Sequence, residues 1–343
     1  MKDQAFVPIY QRLYNSYREK IIKQVYNPGD RIDSINRIME RHKVSRETAK
    51  HVLSKLSSEG FIIKKAGKGS FVTFTRDIQR IWGIVIPFYS ANIEDLIGHL
   101  NAEARKRDRS IKYFLHYNEP EEEMKLVGQM IREGYEAIIV VPNYDERLTA
   151  NFYRSLQQGN SIVVLADNTM SGSFFNYVIQ SYDLGVKRAF NYLISRNEKN
   201  LLIIKNEAWN GRNLVAELME QSLQIFISSQ SPHRELFIIS GLSEFSDEFL
   251  KINNIGGILC FTDTDSLRVS GRLLRWGISM PNEISVVSYG NTELTQTASP
   301  PVTAVDCNYS EMARVAASMI FSKPKPVGTK QFVIQPELII RQT

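Results

Sequence analysis

The sequence has little cysteine and no long apolar segment. Its only two cysteines are Cys260 and Cys307, and no run of 18 consecutive apolar residues occurs. So few cysteines argue against a disulfide-stabilised scaffold, and we expect each thiol to be a buried small hydrophobe. The missing apolar run argues against a membrane-spanning helix, and the charged, polar N-terminus lacks the apolar core of a signal peptide. We therefore expect a cytoplasmic protein with no membrane partner.

Catalytic and cofactor motifs are also missing from the sequence. The five histidines show no metal-ligand spacing; they are His42, His51, His99, His116 and His233. There is no Gly-x-Ser-x-Gly, no phosphate-cradling Walker loop and no Gly-x-Gly-x-x-Gly after the first strand of the body. We expect no catalytic residue, no metal and no cofactor. An enzyme with a Rossmann-like body is the least favoured class.

The charge of the chain is divided unevenly along its length. The 343 residues carry a net charge of +5, and 43% of them are hydrophobic, which suits two or three domains with sizeable cores. Residues 1–76 hold 16 basic and 7 acidic residues, a net charge of +9, whereas the remainder is −4. This division predicts a polyanion-binding head on a neutral or acidic body.

One helix of this head has the pattern of a DNA-reading element. Apolar residues recur at three- and four-residue steps up to Gly60, so one face is expected to be buried; they are Ala49, Val52, Leu53 and Leu56. Ser45 is positioned to cap the first turn. Arg46, Thr48 and Lys50 stand at the start of the helix and largely avoid the apolar face. This arrangement suits insertion into a DNA major groove.

The rest of the head predicts a winged helix-turn-helix. A first amphipathic helix runs from Pro8 to Val25 and ends in the turn 27–30, and Ser34 can cap a second helix that ends at His42. Two short strands, 61–63 and 71–72, flank a basic tip. Lys64, Lys65 and Lys68 of this tip can lie along phosphates, and Gly67 and Gly69 let the backbone approach the minor groove.

Residues 7–74 resemble the winged helix-turn-helix of the gluconate-repressor (GntR) family. The motifs that match are Pro8-Ile9-Tyr10, Pro28-Gly29-Asp30-Arg31, Val44-Ser45-Arg46-x-Thr48, Leu53-x-x-Leu56-x-x-Glu59-Gly60 and Gly67-x-Gly69-Ser70-Phe71-Val72. The resemblance implies that Arg46, Thr48 and Lys50 contact bases or adjacent phosphates. The chain departs from the family where Leu-Pro-Ser-Glu-Arg is usual, because it has Ile32-Asp33-Ser34-Ile35-Asn36. The arginine of the second helix then falls one residue later, at Arg37.

After a polar linker at 75–80, strands and helices alternate. Continuous apolar strands begin with 82–87 and imply parallel sheets covered on both faces. The pattern restarts after Asp167, which suggests two lobes of similar size. The fold class is therefore α/β: a winged helix-turn-helix at 1–74 and a two-lobed body at 81–343. We expect lobe 1 to hold about 81–166 and 291–322, and lobe 2 about 167–290 and 323–343.

The body resembles the effector-binding domain of the lactose-repressor (LacI/GalR) family, which is similar to periplasmic sugar-binding proteins. The most diagnostic stretch is Trp276-Gly277-Ile278-Ser279-Met280-Pro281-Asn282-Glu283-Ile284-Ser285-Val286-Val287, and Gly83-Ile84-Val85-Ile86-Pro87, Gly185-x-x-x-Ala189 and Thr262-Asp263 also match. The chain departs from the family at Ser181-Tyr182 and at Ser288-Tyr289-Gly290-Asn291. The identity of an effector therefore cannot be transferred from the family.

Effector-binding residues are expected where the strands end. Ligands of such sheets lie beyond the carboxyl ends of the strands, here between the lobes. The candidates after predicted strands are Tyr89, Asn143, Asp167, Asp263 and Asn291, with Phe88, Tyr89 or Trp209 available to stack on a sugar. By the family resemblance Arg212 supplies a bidentate fork. For each loop carboxylate or amide the alternative is a helix cap.

These expectations combine into a transcriptional regulator. The arrangement resembles the arabinose-repressor type, in which a GntR-like head is joined to a LacI-like body. We expect a homodimer on a near-palindromic operator, released by a monosaccharide or a derivative that binds between the lobes. The alternatives are a cytoplasmic sugar-binding protein without DNA function, and a regulator whose effector is a nucleoside or another non-sugar.

Overall fold

The computed structural model describes residues 8–22, 25–73, 80–156, 162–168, 175–197, 199–206, 214–230, 233–321 and 329–343. The chain divides into two compact units. The first holds residues 1–81 and 128–136, and the second holds 82–127 and 137–343. We refer to residues 8–73 as the head and to residues 81–343 as the body.

The head is a three-helix bundle with a two-stranded wing. Its elements are α1 (Ile9–Ile22), α2 (Ile35–His42), α3 (Arg46–Ser58), β1 (Ile62–Lys65) and β2 (Gly69–Val72). The two strands pair antiparallel, with Ile62 opposite Val72 and Lys65 opposite Gly69. A single apolar cluster joins the helices to the base of the wing, and the predicted face of α3 lies in it. The winged helix-turn-helix expected from the sequence is therefore present.

Local capping fixes where α2 and α3 begin. The hydroxyl of Ser34 accepts a hydrogen bond from the Arg37 amide at 3.3 Å, and that of Ser45 accepts one from the Thr48 amide at 3.2 Å. Between the helices, Lys43 adopts a left-handed conformation with φ 51°. Gly60, after α3, is also left-handed with φ 78°. Lys43 and the Ser45 cap turn the chain sharply between α2 and α3, and Gly60 turns it after α3.

The body contains two six-stranded sheets with helices packed against them. The strands are β3 (Ile81–Ile86), β4 (Ser110–Leu115), β5 (Ala137–Val140), β6 (Ile162–Asp167), β7 (Tyr177–Gln180), β8 (Asn200–Lys205), β9 (Leu236–Ser240), β10 (Ile255–Cys260), β11 (Ser285–Gly290), β12 (Thr303–Asp306), β13 (Gln331–Ile334) and β14 (Glu337–Ile339). The helices are α4 (Ala91–Arg105), α5 (Pro120–Glu133), α6 (Glu146–Leu156), α7 (Tyr182–Arg196), α8 (Leu214–Gln230), α9 (Asp247–Ile252), α10 (Asp263–Arg275), α11 (Glu293–Thr297) and α12 (Tyr309–Phe321).

Each sheet forms the centre of one lobe. The strand order of the first lobe is β13-β7-β6-β5-β3-β4, and that of the second is β14-β12-β11-β10-β8-β9. Neighbouring strands pair parallel wherever their register is described, except that β14 runs antiparallel to β12. The parallel sheets expected from the continuous apolar strands are therefore confirmed.

The lobe boundaries differ from those expected at three places. Strands β7 and β13 belong to the first lobe and β12 to the second, whereas α12 packs against α4 of the first lobe as expected. The chain crosses between the lobes after β7, after β12 and after β13. The restart of the α/β pattern was placed after Asp167, one strand too early, because β7 has only four residues and was not recognised as a strand of the first lobe.

Both cysteines are buried and free, as expected. Among the described residues no helix is both long and apolar enough to cross a membrane.

Candidate functional site

The exposed face of α3 carries the predicted DNA-reading residues. Arg46 and Lys50 are exposed, whereas the opposite face of the helix is buried in the core of the head. The Ser45 hydroxyl lies 2.9 Å from that of Thr48, so the two side chains brace each other at the helix N-terminus. Lys50 lies 4.0 Å from Glu47, a distance at which an exposed ion pair contributes little. The arrangement presents a guanidinium, an ammonium and two hydroxyls on the first turns of a rigid helix.

The wing carries further exposed cations. Lys64, Lys65 and Lys68 are exposed, and the Lys65 ammonium lies 5.1 Å from the centre of the Phe71 ring. Gly67 is exposed at the wing tip with φ 68°, a conformation that glycine adopts without strain. A Cβ on Gly69 would meet Arg31 Nε at 2.7 Å, so glycine at this position makes room for the Arg31 side chain.

Arg31 is a cation that the predicted DNA-binding set omitted. It is exposed and its backbone bridges to Phe71 of β2, which ties it to the wing. Arg31 is the last residue of the Pro28-Gly29-Asp30-Arg31 motif, so the motif itself was recognisable in the sequence. Its contact with the wing is a tertiary contact that the motif does not encode. Arg37 is exposed on α2, and Ser34 serves as the α2 cap.

Asp33, where the family usually has proline, is the centre of a buried network. Its Oδ2 accepts hydrogen bonds from the Tyr17 hydroxyl at 2.8 Å and the Tyr26 hydroxyl at 3.4 Å, and it pairs with Arg41. Tyr17 Oη also lies 3.2 Å from His42 Nε2. The network joins α1 to both ends of α2. The departure from the family motif therefore supplies a cross-link that orients α2.

In the body, the residues after β3 form an aromatic surface. Phe88 packs edge-on against Tyr144 with ring centres 5.8 Å apart. Tyr89 is 55% exposed, with Tyr113 at 6.4 Å, so its ring is open to a ligand. The two aromatic residues predicted here lie at the carboxyl edge of the first-lobe sheet, as expected.

Asn143 is fully engaged by its own lobe. Its amide nitrogen Nδ2 donates to Glu123 Oε2 at 3.1 Å and to Thr149 Oγ1 at 2.9 Å, and its Oδ1 accepts from the Asp145 amide at 3.0 Å. This geometry favours the capping alternative, because the side chain holds the loop between β5 and α6. A direct ligand contact by Asn143 remains an untested prediction.

Asp167 differs from the other strand-end residues because part of its carboxylate is unsatisfied. Tyr309 and Gln180 hydrogen-bond to this carboxyl group, but its buried Oδ1 has no hydrogen-bond partner among the described residues. Burial raises the pKa of Asp167 to about 6 against the opposing effect of those two hydrogen bonds. Its backbone is left-handed with φ 62°, which turns the chain directly after β6.

Asp167 belongs to a cluster of residues that lie next to the crossings between the lobes. We call Asp167, Gln180, Tyr182, Tyr289 and Tyr309 the Asp167 cluster. Tyr182, the first residue after the first crossing, donates to the Asp167 carbonyl oxygen. Tyr289 of the second lobe donates to Gln180 Oε1 of the first at 3.0 Å. A Cβ on Gly185 would collide with the Tyr289 ring, so this glycine allows the tyrosine to reach Gln180. Gln180, Tyr289 and Tyr309 are absent from the predicted site residues, because no local sequence pattern connects their strands and helices with Asp167.

Asp263 is locked into its own lobe. It is 1% exposed; Oδ1 accepts from the Ser288 hydroxyl and from the Asn291 amide at 3.3 Å, and Oδ2 accepts from the Thr292 amide at 2.7 Å. These bonds tie the start of α10 to the loop after β11. Asn291, with φ 71°, has its Oδ1 bonded by Arg341. Ligand contacts by Asp263 and Asn291 stay predictions. The other two predicted effector-binding residues, Trp209 and Arg212, lie outside the described residues.

A surface cavity lies on the second lobe, at the carboxyl ends of β8 and β9. Its volume is about 630 Å³, within the usual range for small-molecule sites. It is lined by Asn206, Gly241, Leu242, Ser243, Asp265, Arg268 and Arg272. None of these residues was singled out from the sequence, because the polar positions are spread over two loops and one face of α10.

His116 and Glu123 form a buried pair beneath the loops of the first lobe. His116 Nε2 lies 3.0 Å from the Val141 carbonyl, while its Nδ1 lies 3.6 Å from Glu123 Oε2. Burial lowers the pKa of His116 to about 4 and raises that of Glu123. Both groups are therefore held closer to their neutral forms than they are in water.

This pair predicts an acid-dependent loss of stability. Above pH 6.5 His116 is neutral in both folded and unfolded chains, but below it only the unfolded chain takes up the proton. His116 should therefore remove about 3 kcal/mol of stability from the body between pH 6.5 and pH 4. Denaturant unfolding at several pH values should show a weaker acid dependence in His116→Gln, which keeps a donor to Val141. His99→Gln, at a half-exposed position, is the control. An unchanged acid dependence in His116→Gln would refute the assignment.

The comparisons with known proteins agree with this architecture. Residues 9–72 match the family described as bacterial regulatory proteins, gntR family, and residues 206–343 match the periplasmic binding protein-like domain. The chain thus joins a winged helix-turn-helix that matches the gntR family to a body whose C-terminal part matches the periplasmic binding protein-like domain. Over 97% of its length it is similar, at 22% identity, to the arabinose metabolism transcriptional repressor of Halalkalibacterium halodurans, of which it covers 96%.

Solved structures show the same fold for the body. A periplasmic binding protein/LacI transcriptional regulator from Alkaliphilus metalliredigens, complexed with D-xylulofuranose, aligns with a TM-score of 0.62 at 18% identity. The alignment covers 77% of this chain and 98% of that one. A LacI family regulator from Enterococcus faecium with bound ribose aligns with a TM-score of 0.62 at 14% identity, covering 76% and 97%.

Proposed function

We propose that this protein is a sequence-specific transcriptional repressor of carbohydrate-utilisation genes, released from its operator by a sugar or sugar derivative. The observation that carries the proposal is the exposed basic surface of α3 and the wing, which belongs to the first 76 residues of net charge +9. The whole-length likeness to an arabinose metabolism transcriptional repressor supports it. The protein then acts as a cytoplasmic regulator rather than as an enzyme.

The head reads DNA by inserting α3 into the major groove. Arg46 can pair with a guanine edge through two parallel hydrogen bonds, and Lys50 and Thr48 reach adjacent bases or phosphates. The wing lysines and Arg31 neutralise phosphates and fix the register without reading sequence. The buried Asp33 network holds α2 against α1, so that α3 is presented in one orientation.

The body couples effector binding to the geometry of the lobes. Among the described residues no partner reaches Oδ1 of Asp167, so a sugar hydroxyl can donate a hydrogen bond there. Gln180 and Tyr309, which hydrogen-bond to the same carboxyl group, lie beside the crossings after β7 and after β12. A ligand that binds one lobe arrangement better shifts the population towards it. In a homodimer on a near-palindromic operator, this shift changes the spacing of the two α3 helices and lowers DNA affinity.

Salt-titrated DNA binding tests the DNA-reading part of the proposal. Sites are first selected from randomised duplexes with the full-length protein, and the affinity for the selected site is then measured by fluorescence anisotropy at several salt concentrations. Contacts to several phosphates predict a steep linear fall of log affinity with log salt. A cytoplasmic sugar-binding protein without DNA function would select no sequence and show no such slope.

A thermal-shift screen tests the effector part. Monosaccharides, sugar acids, sugar phosphates and nucleosides are compared, since a ligand raises the melting temperature according to its concentration over its dissociation constant. A sugar or sugar derivative should both stabilise the protein and release the selected duplex. Stabilisation by nucleosides alone would contradict the carbohydrate class while leaving DNA binding intact.

A further inference from the structure

The cavity at the ends of β8 and β9 differs in chemistry and position from the Asp167 cluster. In the second-lobe sheet, β11 with Tyr289 is separated from β9 by β10 and β8. Three strand spacings correspond to about 14 Å. The loops after β8 and β9 that line the cavity are therefore two and three strands away from β11, and the described lining residues all belong to the second lobe.

The walls of the cavity carry an excess of positive charge. Arg272 is fixed there, because its Nη1 donates to the carbonyl oxygens of Leu242 at 2.8 Å and Phe245 at 2.9 Å. Arg268 is 66% exposed, and its contact with Asp265 is long, 3.5 Å between Nη1 and Oδ1. Asp265 is the one acid among the described lining residues, where two guanidinium groups face one carboxylate.

The remaining lining groups suit hydroxyls. The side chain of Asp265 is 5% exposed and is held by the Thr262 hydroxyl at 2.7 Å, which leaves Oδ1 with only the long Arg268 contact among the described residues. Asn206 Nδ2 lies 3.5 Å from Asp265 Oδ2, and Ser243 adds an exposed hydroxyl. An acid, an amide and a hydroxyl around one small cavity can bind a polyol through donors and acceptors together.

We infer that this cavity binds a small polyol that carries an oxyanion. Arg268 holds the oxyanion, and Asp265, Asn206 and Ser243 bind the hydroxyls. Sugar phosphates and sugar acids share this chemistry. The inference goes beyond the proposed function, because it assigns an anionic polyol to a second site on the second lobe that shares no residue with the Asp167 cluster.

Isothermal titration of the full-length protein tests the inference with matched compounds. Glucose 6-phosphate and gluconate are compared with glucose, arabinose 5-phosphate with arabinose, and inorganic phosphate serves as the bare anion. At least one sugar phosphate or sugar acid should bind about 10-fold or more tightly than its neutral parent, since hydrogen bonds to charged groups contribute about twice as much as neutral ones. Comparing the affinities of the sugar phosphates with that of gluconate shows whether the cavity prefers a phosphate or a carboxylate.

Two variants on α10 locate the oxyanion. Arg268→Gln should weaken the anionic ligand about 10- to 100-fold and leave a neutral sugar unaffected. Arg275→Gln, an exposed arginine of the same helix outside the cavity, should bind like wild type. Ser243→Tyr, which fills the cavity mouth, should weaken every cavity ligand. Unchanged melting temperature and DNA affinity of each variant show that it is folded.

The outcomes separate this inference from the proposed function. Equal binding of neutral and anionic sugars, binding of inorganic phosphate alone, absence of binding by every anionic compound, or wild-type affinity in Arg268→Gln would each overturn the inference. If a neutral sugar still releases the selected duplex in those cases, the proposed function stands. Failure to select any duplex would instead overturn the proposed function.

Discussion

Asp263→Ala is expected to lower the free energy of unfolding of the body by about 3–5 kcal/mol. The substitution strips partners from the Ser288 hydroxyl and from the amides of Asn291 and Thr292, all bonded to a carboxylate that is 1% exposed. Each hydrogen bond to a charged group contributes roughly 1.5–3 kcal/mol, and a buried donor left unpaired costs more than a lost neutral bond. The bonds share one acceptor group, so their contributions do not simply add.

Tryptophan fluorescence during urea unfolding measures this loss in the body alone. The three tryptophans, Trp82, Trp209 and Trp276, all follow the head in the sequence. Thr264→Ala, at the exposed neighbouring position, is the control and should change stability by less than about 0.5 kcal/mol. Wild-type stability in Asp263→Ala together with lost effector binding would instead establish the ligand role predicted from the sequence.

Asp263 and Asp167 show that a position at the end of a strand predicts where a side chain lies but not which hydrogen bonds it makes. Both residues follow an apolar strand, and the sequence places both at the carboxyl edge of a sheet. The donors that satisfy Asp263 come from residues 25 to 29 positions later, in a loop whose approach no local pattern encodes. Tertiary contacts therefore decide that the Asp263 carboxylate is fully hydrogen-bonded while one oxygen of Asp167 has no partner in the part of the chain that the structure describes.

The head was more predictable because its signals are local. Ser34 and Ser45 cap helices through amides three residues away, and Gly60 adopts the left-handed conformation that ends α3. The strands of the body were also recognisable from their apolar runs. Their assignment to lobes was not, since β13 pairs with β7, which lies about 150 residues earlier in the chain. The cavity residues come from two loops and from one face of α10, and no sequence pattern connects these three segments.

Arg46→Ala is expected to weaken binding to the selected duplex about 10- to 100-fold. Arg46 is the first residue of α3 and is exposed, so its removal leaves the core of the head intact, and alanine favours the helix. A bidentate arginine–guanine pair contributes about 1–3 kcal/mol of discrimination, which gives this range. Anisotropy titrations with the selected duplex and with a scrambled duplex measure affinity and specificity separately.

Two further variants distinguish a base contact from a phosphate contact at Arg46. Arg46→Lys keeps the charge but loses the planar fork, so specificity should fall while the salt dependence is preserved. Arg105→Ala, at an exposed arginine of α4 in the body, should bind DNA like wild type. If Arg46→Ala weakened selected and scrambled duplexes equally, Arg46 would be a phosphate contact, since phosphates carry no sequence information. Wild-type affinity in Arg46→Ala would remove α3 from the reading surface and leave the wing as the main DNA contact.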